Sequence, residues 1–135
     1  MRVVADTNIL ISALMFGGLP GAFLDLALTQ AFTLVTSPAL LDELDEKLRL
    51  KFGITGMDAD LIRAKLEKSA QVIVPRIALA IVADDPDDDR VLECALAGQA
   101  NCIVSGDRHL LRLGAYDGIE IMNVRAFVDA LDIGF

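Results

Sequence analysis

The sequence predicts an α/β fold, a three-layer α/β/α sandwich built on a central, mostly parallel sheet of five strands. Short apolar runs alternate along the chain with segments of helical periodicity, which is the order that a parallel sheet requires. The runs lack polar and apolar alternation, so helices should cover both faces of the sheet. A chain of 135 residues is long enough for one such core. We therefore expect a single domain over residues 1–135.

Each predicted strand is a short apolar run that leads into a segment of helical character. The five runs cover residues 2–5, 32–36, 71–74, 102–104 and 119–122. Proline ends the third run at position 75, because it cannot donate a hydrogen bond to a strand ladder. The intervening segments predict helices after Thr7 and at residues 20–30, 38–48, 57–69, 86–97, 109–113 and 124–131.

Capping residues mark where two of these helices begin. Ser37 and Asp85 each precede a proline, and a proline at the first helical position costs no hydrogen bond. Gly98 follows the second of these helices at the position that commonly adopts a left-handed conformation. The boundaries of both helices are therefore predicted from local chemistry.

Composition favours a protein of the cytoplasm that does not enter a membrane. The hydrophobic fraction is 54%, yet no apolar run approaches the roughly 18 residues that cross a bilayer. The chain reaches Asp6 at once, which leaves no room for a signal peptide. Cys94 and Cys102 lie in apolar patterns, and we expect both to be buried thiols.

The charge distribution separates a basic segment from clustered acids. The net charge of -8 opposes binding to nucleic acid, since phosphates are bound mainly by Lys and Arg. Seven of the 12 Lys and Arg residues lie between Lys47 and Arg76, where only three acids occur, so this segment carries +4. The remaining residues carry -12. Clustered carboxylates of this kind are suited to a divalent cation.

Four carboxylates are predicted at the junctions between strands and helices. Asp6 directly ends the first strand, and Asp107 follows the fourth. Asp89 lies in the first turn of its helix. The helix after the second strand contributes either Glu43 or Asp45, because both border its leucine stripe and helical periodicity does not distinguish them. The carboxyl ends of parallel strands share one edge of a sheet, so these acids should converge.

Some acids near helix starts have a simpler explanation. Asp87 and Asp88 are expected to stabilise the positive end of the helix dipole, and Asp89 shares this alternative. Helix capping alone is the least satisfactory explanation for Asp6, because a carboxylate that ends a buried strand must be paired or bound to a cation. Acids that share a pocket repel one another unless Mg²⁺ or Mn²⁺ lies between them, and ligands that are all oxygen favour these ions over zinc.

Three segments of the chain combine an apolar run with acidic residues. They read Val4-Ala5-Asp6-Thr7-Asn8-Ile9-Leu10, Asp85-Pro86-Asp87-Asp88-Asp89 leading into Val91-Leu92-Glu93-Cys94-Ala95, and Ile103-Val104-Ser105-Gly106-Asp107. In this order they resemble the PIN domain, and among its branches the VapC-type toxins of toxin–antitoxin pairs. The resemblance spans nearly the whole chain. It implies an endoribonuclease that uses Mg²⁺ or Mn²⁺ to hydrolyse RNA, with a protein antitoxin as partner.

The resemblance also implies which residues form the site. It assigns catalysis and metal binding to Asp6, Glu43, Asp89 and Asp107, and it thereby chooses Glu43 over Asp45.

Other residues near these acids have implied or open roles. Asn8 and Ser105 match family positions whose small polar side chains orient the acids by hydrogen bonds. Glu93 lies four residues after Asp89 on the same helix face, and either joins the metal ligands or faces solvent. We expect no catalytic role for His109, the single histidine, because two-metal hydrolysis needs no histidine base.

Two other functions are possible for an α/β chain with acidic residues at its strand ends. The first is a non-catalytic PIN-like scaffold that binds a protein partner, and the complete set of acids argues against it. The second is a phospho-accepting receiver domain, which requires paired acids after the first strand and a lysine after the last; Asp6 stands alone and no lysine follows Met122. The high apolar fraction further predicts association, as a homodimer or higher oligomer or with an antitoxin.

Overall fold

The structure is a computed structural model that describes residues 1–81 and 85–133, with side chains as far as residue 131. Residues 82–84 and 134–135 of the predicted domain lie outside the described part. The strands are β1 (Arg2–Ala5), β2 (Thr33–Thr36), β3 (Gln71–Val72), β4 (Cys102–Val104), β5 (Ala115–Tyr116) and β6 (Ile119–Met122). The helices are α1 (Thr7–Phe16), α2 (Gly18–Leu28), α3 (Pro38–Phe52), α4 (Gly56–Ser69), α5 (Pro86–Ala97), α6 (Arg108–Leu113) and α7 (Val124–Ile133).

The strands form one sheet in the order β3-β2-β1-β4-β6-β5, and every pairing except that of β5 with β6 is parallel. β1 lies in the interior, where Val4 is in register with Val35 of β2 and Ile103 of β4. The predicted α/β/α architecture with a mostly parallel sheet is confirmed.

The sheet has six strands, and the predicted number of five was wrong. β5 and β6 are joined by Asp117 and Gly118, whose φ angles are 51° and 79°. A two-residue turn with both central φ values positive is the usual connection of a tight hairpin, and Asp-Gly is a sequence that favours it. β3 is shorter than expected: the Ile73 N–H still donates to the Thr36 carbonyl of β2 at 2.8 Å, and the chain then leaves the sheet and reaches α5 at Leu79.

Helices cover both faces of the sheet, as the uniformly apolar strands predicted. Val3 and Ala5 point into a core shared with α1, α2, α3 and α7, whereas Val4 points to the opposite core, which is filled mainly by α5. Phe23, Phe32 and Phe127 pack against one another in the first core, with ring centroids 5.0 to 5.5 Å apart. Cys94 and Cys102 are buried free thiols, as expected.

Local chemistry sets the start of both proline-led helices. Ser37 Oγ accepts a hydrogen bond from the Leu40 N–H at 3.3 Å, and Asp85 Oδ1 accepts from the Asp87 N–H at 3.1 Å. The prediction of a left-handed conformation at Gly98 was wrong. The φ of Gly98 is -83°, and the next residue, Gln99, adopts a positive φ of 53°.

Among the described residues, no single helix has the length and apolar character needed to cross a membrane. Only α1 and α2 together satisfy that test, and the two are bent by 104° at their junction.

Candidate metal centre

The candidate site lies at the carboxyl ends of β1 and β4, which are neighbours in the middle of the sheet. From β1, the chain builds the sheet outward through β2 on one side and returns through β4 on the other. A crevice at such a switch in strand order is where open α/β sheets bind ligands. The Asp6 N–H continues the ladder by donating to the Val104 carbonyl at 2.9 Å, so Asp6 stands beside the loop that follows β4.

Ser105 connects the acids of the two strands. Its Oγ donates to Asp6 Oδ2 at 2.7 Å and accepts from the Asp107 N–H at 2.9 Å. Asp6 Oδ1 accepts from the Asn8 N–H at 3.2 Å, which caps α1. Ser105 is fully buried and Asp6 exposes only 5% of its surface. The Asp6 carboxylate is therefore held in one orientation within a nearly dry environment.

The first two turns of α3 bring Glu43 to the same edge. Glu43 Oε2 accepts a hydrogen bond from Thr7 Oγ1 at 3.1 Å, and Glu43 Oε1 pairs with Lys47 Nζ at 2.8 Å. Lys47 also donates to Asn8 Oδ1 at 3.2 Å. Asp45 instead pairs with Arg49 on the same helix at 2.9 Å.

A second group of side chains gathers around Asp88 and Asp107. One ligand atom from each of Asp85, Asp88, Asp107 and His109 lies within 4.8 Å of every other. His109 Nδ1 is 3.5 Å from Asp107 Oδ1 and 3.9 Å from Asp88 Oδ2. Asp88 exposes 4% of its surface, and its buried Oδ2 has no hydrogen-bond donor among the described residues.

Burial and neighbouring charges raise the pKa of two carboxyl groups of this site, those of Asp6 and Asp88. Burial raises the pKa of Asp6, and the charges of Glu43 and Asp107 add to this, against the hydrogen bonds from Ser105 and the Asn8 N–H. Burial, together with the charges of Asp107 and Asp85, raises the pKa of Asp88 to about 8.

Lys47 is a partial counter-charge for these acids. Partial burial lowers the pKa of Lys47, but the hydrogen bond and charge of Glu43 outweigh it and raise the pKa above its ordinary value. The ammonium group is therefore held in its charged form beside Glu43.

Two further carboxylates of α5 anchor the segment that follows β3. Asp89 Oδ1 accepts from the Ile81 N–H at 3.0 Å, and Glu93 Oε2 accepts from the Leu79 N–H at 2.7 Å. Arg90 pairs with Glu93 at 2.8 Å and donates to the Leu79 carbonyl at 3.2 Å. Glu93, which exposes 8% of its surface, thus neither approaches the acid cluster nor faces solvent.

The structure brings together three of the four predicted acids, namely Asp6, Glu43 and Asp107. It adds Asp88, which the sequence analysis assigned to helix capping, and it directs Asp89 towards Ile81. A signal for Asp88 exists in the sequence: the residues three, four and seven positions later are Val91, Leu92 and Ala95, which are buried, so Asp88 lies on the buried stripe of α5.

The donor set fits a divalent cation. Asp6, Asp88 and Asp107 present carboxylate oxygens, the ligands preferred by Mg²⁺ and Mn²⁺. The buried Asp88 Oδ2, for which residues 1–81 and 85–133 supply no donor, is a polar atom that such an ion would satisfy.

Comparison with known proteins identifies the family. The PIN domain family model matches residues 2–109, and the chain therefore belongs to the PIN domain family. No match was found among the curated proteins.

Solved structures share the fold at low sequence identity. PAE2754 from Pyrobaculum aerophilum superimposes with a TM-score of 0.64 at 16% identity, covering 98% of this chain and 89% of that one. VapBC2 from Rickettsia felis, solved bound to a DNA fragment from its promoter, gives a TM-score of 0.61 at 15% identity, and FitAcB from Neisseria gonorrhoeae gives 0.56 at 16%. Each of these two comparisons covers 91% of this chain and 98% of the other.

Proposed function

We propose that this chain is an endoribonuclease that hydrolyses RNA phosphodiester bonds with Mg²⁺ or Mn²⁺, and that residues 1–135 form one nuclease domain. The observation that carries the proposal is the buried Asp88 Oδ2, which lies in one cluster with Asp107 and finds no hydrogen-bond donor in the described part of the chain, at the edge where Asp6 also lies. A structural acid in such a position would carry a donor or a basic partner.

The ion would be held by Asp6, Asp88 and Asp107, with Asp85 next to Asp88 and Asp107, and Glu43 near Asp6. Asp88 thus takes the role that the sequence analysis gave to Asp89. When bound, the ion polarises a phosphoryl oxygen, lowers the pKa of a coordinated water and stabilises the leaving oxygen.

The other residues of the site would orient these acids. Ser105 donates to Asp6 and receives the Asp107 N–H, so that one hydroxyl fixes the spacing between carboxylates of two strands. Thr7 and Lys47 hold the two oxygens of Glu43. Because these groups are in place before the substrate arrives, little reorganisation is needed on binding.

A cleft beside the acids offers a path for the substrate. It has a volume of about 250 Å³ and is lined by Glu43, Glu46, Lys47, Leu50, Lys51 and Asp87. Lys47 and Lys51 lie one helical turn apart on α3 and would bind the phosphates that flank the scissile bond. The acids alone would repel RNA, so the cation is needed for binding as well as for chemistry.

We further propose that the chain is the toxin of a toxin–antitoxin pair and associates with a protein antitoxin and with a second copy of itself. The resemblance to VapC-type toxins and the fold shared with VapBC2 and FitAcB support this role. Large apolar side chains also remain exposed on α1, α3 and α4: Phe16, Leu50, Phe52, Met57 and Leu61. Exposed apolar surface of this kind is typical of an interface.

The nuclease proposal is tested by incubating the purified protein with labelled single-stranded and structured RNA. We expect cleavage with Mg²⁺ or Mn²⁺ and none in excess chelator. Asp6→Asn should reduce the rate by at least about 100-fold, because an amide is a poor ligand for a hard cation. Asp25→Asn removes the same charge from an exposed position on α2 and should leave the rate unchanged.

Cleavage that persists in excess chelator would contradict the metal mechanism. A folded protein that binds Mn²⁺ but cleaves none of the RNAs would favour the non-catalytic scaffold instead.

A further inference from the structure

The single histidine of the chain, His109, lies at the candidate metal centre but has no role in the proposed nuclease mechanism. His109 is the second residue of α6, and its backbone N–H donates to Asp107 Oδ1 at 2.7 Å. Its ring Nδ1 is buried and faces the carboxylates, 3.5 Å from Asp107 Oδ1 and 3.9 Å from Asp88 Oδ2. The imidazole thus forms part of the wall of the acid cluster.

These separations suit ligands of one ion. Two ligands of a six-coordinate ion bound at roughly 2.1 Å lie about 3.0 Å apart when adjacent and about 4.2 Å apart when opposite. The two distances from His109 Nδ1 fall between these limits. The atoms also converge with Asp85 within 4.8 Å. Only small side-chain movements would be needed to close the group around a cation.

A second observation distinguishes this group from a chance cluster of surface acids. Asp88 is 96% buried, and its Oδ2, which is the atom nearest to His109, lacks a hydrogen-bond donor among the described residues. A buried carboxylate oxygen in this state is short of positive charge.

We propose that His109 Nδ1 is a metal ligand together with Asp85, Asp88 and Asp107, and that this nitrogen makes the site prefer Mn²⁺ and other transition ions to Mg²⁺. The preference follows from ligand chemistry, because imidazole nitrogen binds first-row transition ions well and carboxylate oxygen is the better ligand for Mg²⁺. The inference depends on the proposed function only in that a divalent ion binds at this edge.

The test is the spectrum of bound Mn²⁺. Electron spin-echo envelope modulation of the Mn²⁺ complex, with any histidine tag removed, should show coupling to an imidazole nitrogen. The chain contains one histidine, so such a signal has a single source. Labelling with ¹⁵N-histidine should change the modulation frequencies. A bound Mn²⁺ without this coupling, or a failure to bind Mn²⁺, would overturn the proposal.

Affinity provides an independent readout. In His109→Gln, titration followed by electron paramagnetic resonance should show Mn²⁺ affinity reduced by about 10-fold or more, with a smaller loss for Mg²⁺ measured by competition. Arg112→Gln changes an exposed side chain of the same helix to the same residue and should leave both affinities unchanged. An unaltered ratio of Mn²⁺ to Mg²⁺ affinity in folded His109→Gln would contradict the proposal; if this variant does not fold, the wild-type spectrum decides.

These readouts separate the two proposals. RNA cleavage by a protein whose bound Mn²⁺ shows no nitrogen coupling would overturn the role of His109 and leave the nuclease intact. Nitrogen-coupled Mn²⁺ in a protein that cleaves no RNA would support His109 as a metal ligand and overturn the nuclease proposal.

Discussion

Asp88 and Asp89 are adjacent acids with separate surroundings. Asp88 faces Asp107 and His109 across the candidate metal centre, whereas Asp89 accepts the Ile81 N–H and helps to anchor the segment after β3. Successive residues of a helix differ by about 100° in direction, so one step along α5 changes which structure a side chain meets. The two carboxylates are therefore expected to respond differently to substitution.

The stability of the metal-free protein should depend on pH through Asp88. The folded-state pKa of about 8 exceeds the unfolded value of about 3.9, so the native state binds the extra proton. This contribution to stability is complete below pH ~4 and is lost as the pH rises towards ~8. Asp88→Asn cannot ionise, so in chelator it should melt close to wild type near pH 4 and above it near pH 8.

Melting curves at several pH values, with chelator and with Mg²⁺, test this expectation. Asp88→Asn should lose most of the stabilisation that Mg²⁺ gives to wild type, which amounts to about 2.7 kcal/mol at 100 times the dissociation constant. Asp89→Asn retains an acceptor for the Ile81 N–H and should keep the Mg²⁺ response. The opposite pattern, a response lost in Asp89→Asn and kept in Asp88→Asn, would restore Asp89 as the ligand.

At the scale of elements, the end of α5 shows how packing constrains a helix terminus. Gly98 has an ordinary negative φ that any residue could adopt. Glycine is required at this position because there is no space for a side chain. A Cβ at this position would lie 2.6 Å from Val35 Cγ1 and 2.9 Å from the Cys94 carbonyl oxygen. The left-handed residue is the exposed Gln99, whose φ is 53°.

This geometry predicts opposite effects of two neighbouring substitutions. Gly98→Ala should reduce the free energy of unfolding by about 1 to 3 kcal/mol, because the new methyl group overpacks α5 against β2. Gln99→Gly should raise it by up to about 1 kcal/mol, since glycine adopts positive φ without the usual cost. Urea denaturation of both variants measures these changes. An unchanged free energy of unfolding in Gly98→Ala would contradict this expectation and show that β2 moves to accommodate the added methyl group.

Several large apolar side chains remain exposed on the surface of the folded chain. Met57 exposes 84% of its surface on α4, and Phe16 exposes 75% at the end of α1 while packing edge-on against Phe52, with ring centroids 6.1 Å apart. Leaving such surface in water forgoes the free energy of burial. The proposed antitoxin or second copy of the chain would cover it.

Sedimentation of the purified protein should therefore show a dimer or higher oligomer, or a complex with the product of a neighbouring gene when the two are expressed together. Met57→Lys places a charge on this surface and should weaken the association without loss of folding. Val74→Lys, an exposed apolar residue elsewhere, is the matched control. A monodisperse wild-type monomer that recovers no partner would contradict the proposed assembly, and disruption by Val74→Lys alone would place the interface elsewhere.

The features that depend on local periodicity and on topology could be predicted from the amino-acid sequence. Apolar runs without alternation indicated a parallel sheet covered on both faces, and Ser37 and Asp85 marked helix starts because capping involves residues only two or three positions apart. The position of Asp6 directly after a buried strand sufficed to place it at the sheet edge, because parallel strands with right-handed crossovers share that edge.

Which side chains meet at that edge could not be predicted from the sequence, because it depends on the packing of the helices. The rotation of α5 and α6 against the sheet sets these contacts. It directs Asp88 towards the acids and Asp89 towards the Ile81 N–H, and it brings His109 close to the acids. The tight contact that requires Gly98 likewise joins a helix end to β2, more than 60 residues earlier in the chain. These outcomes arise from packing between segments distant in sequence, and local periodicity carries no information about that packing.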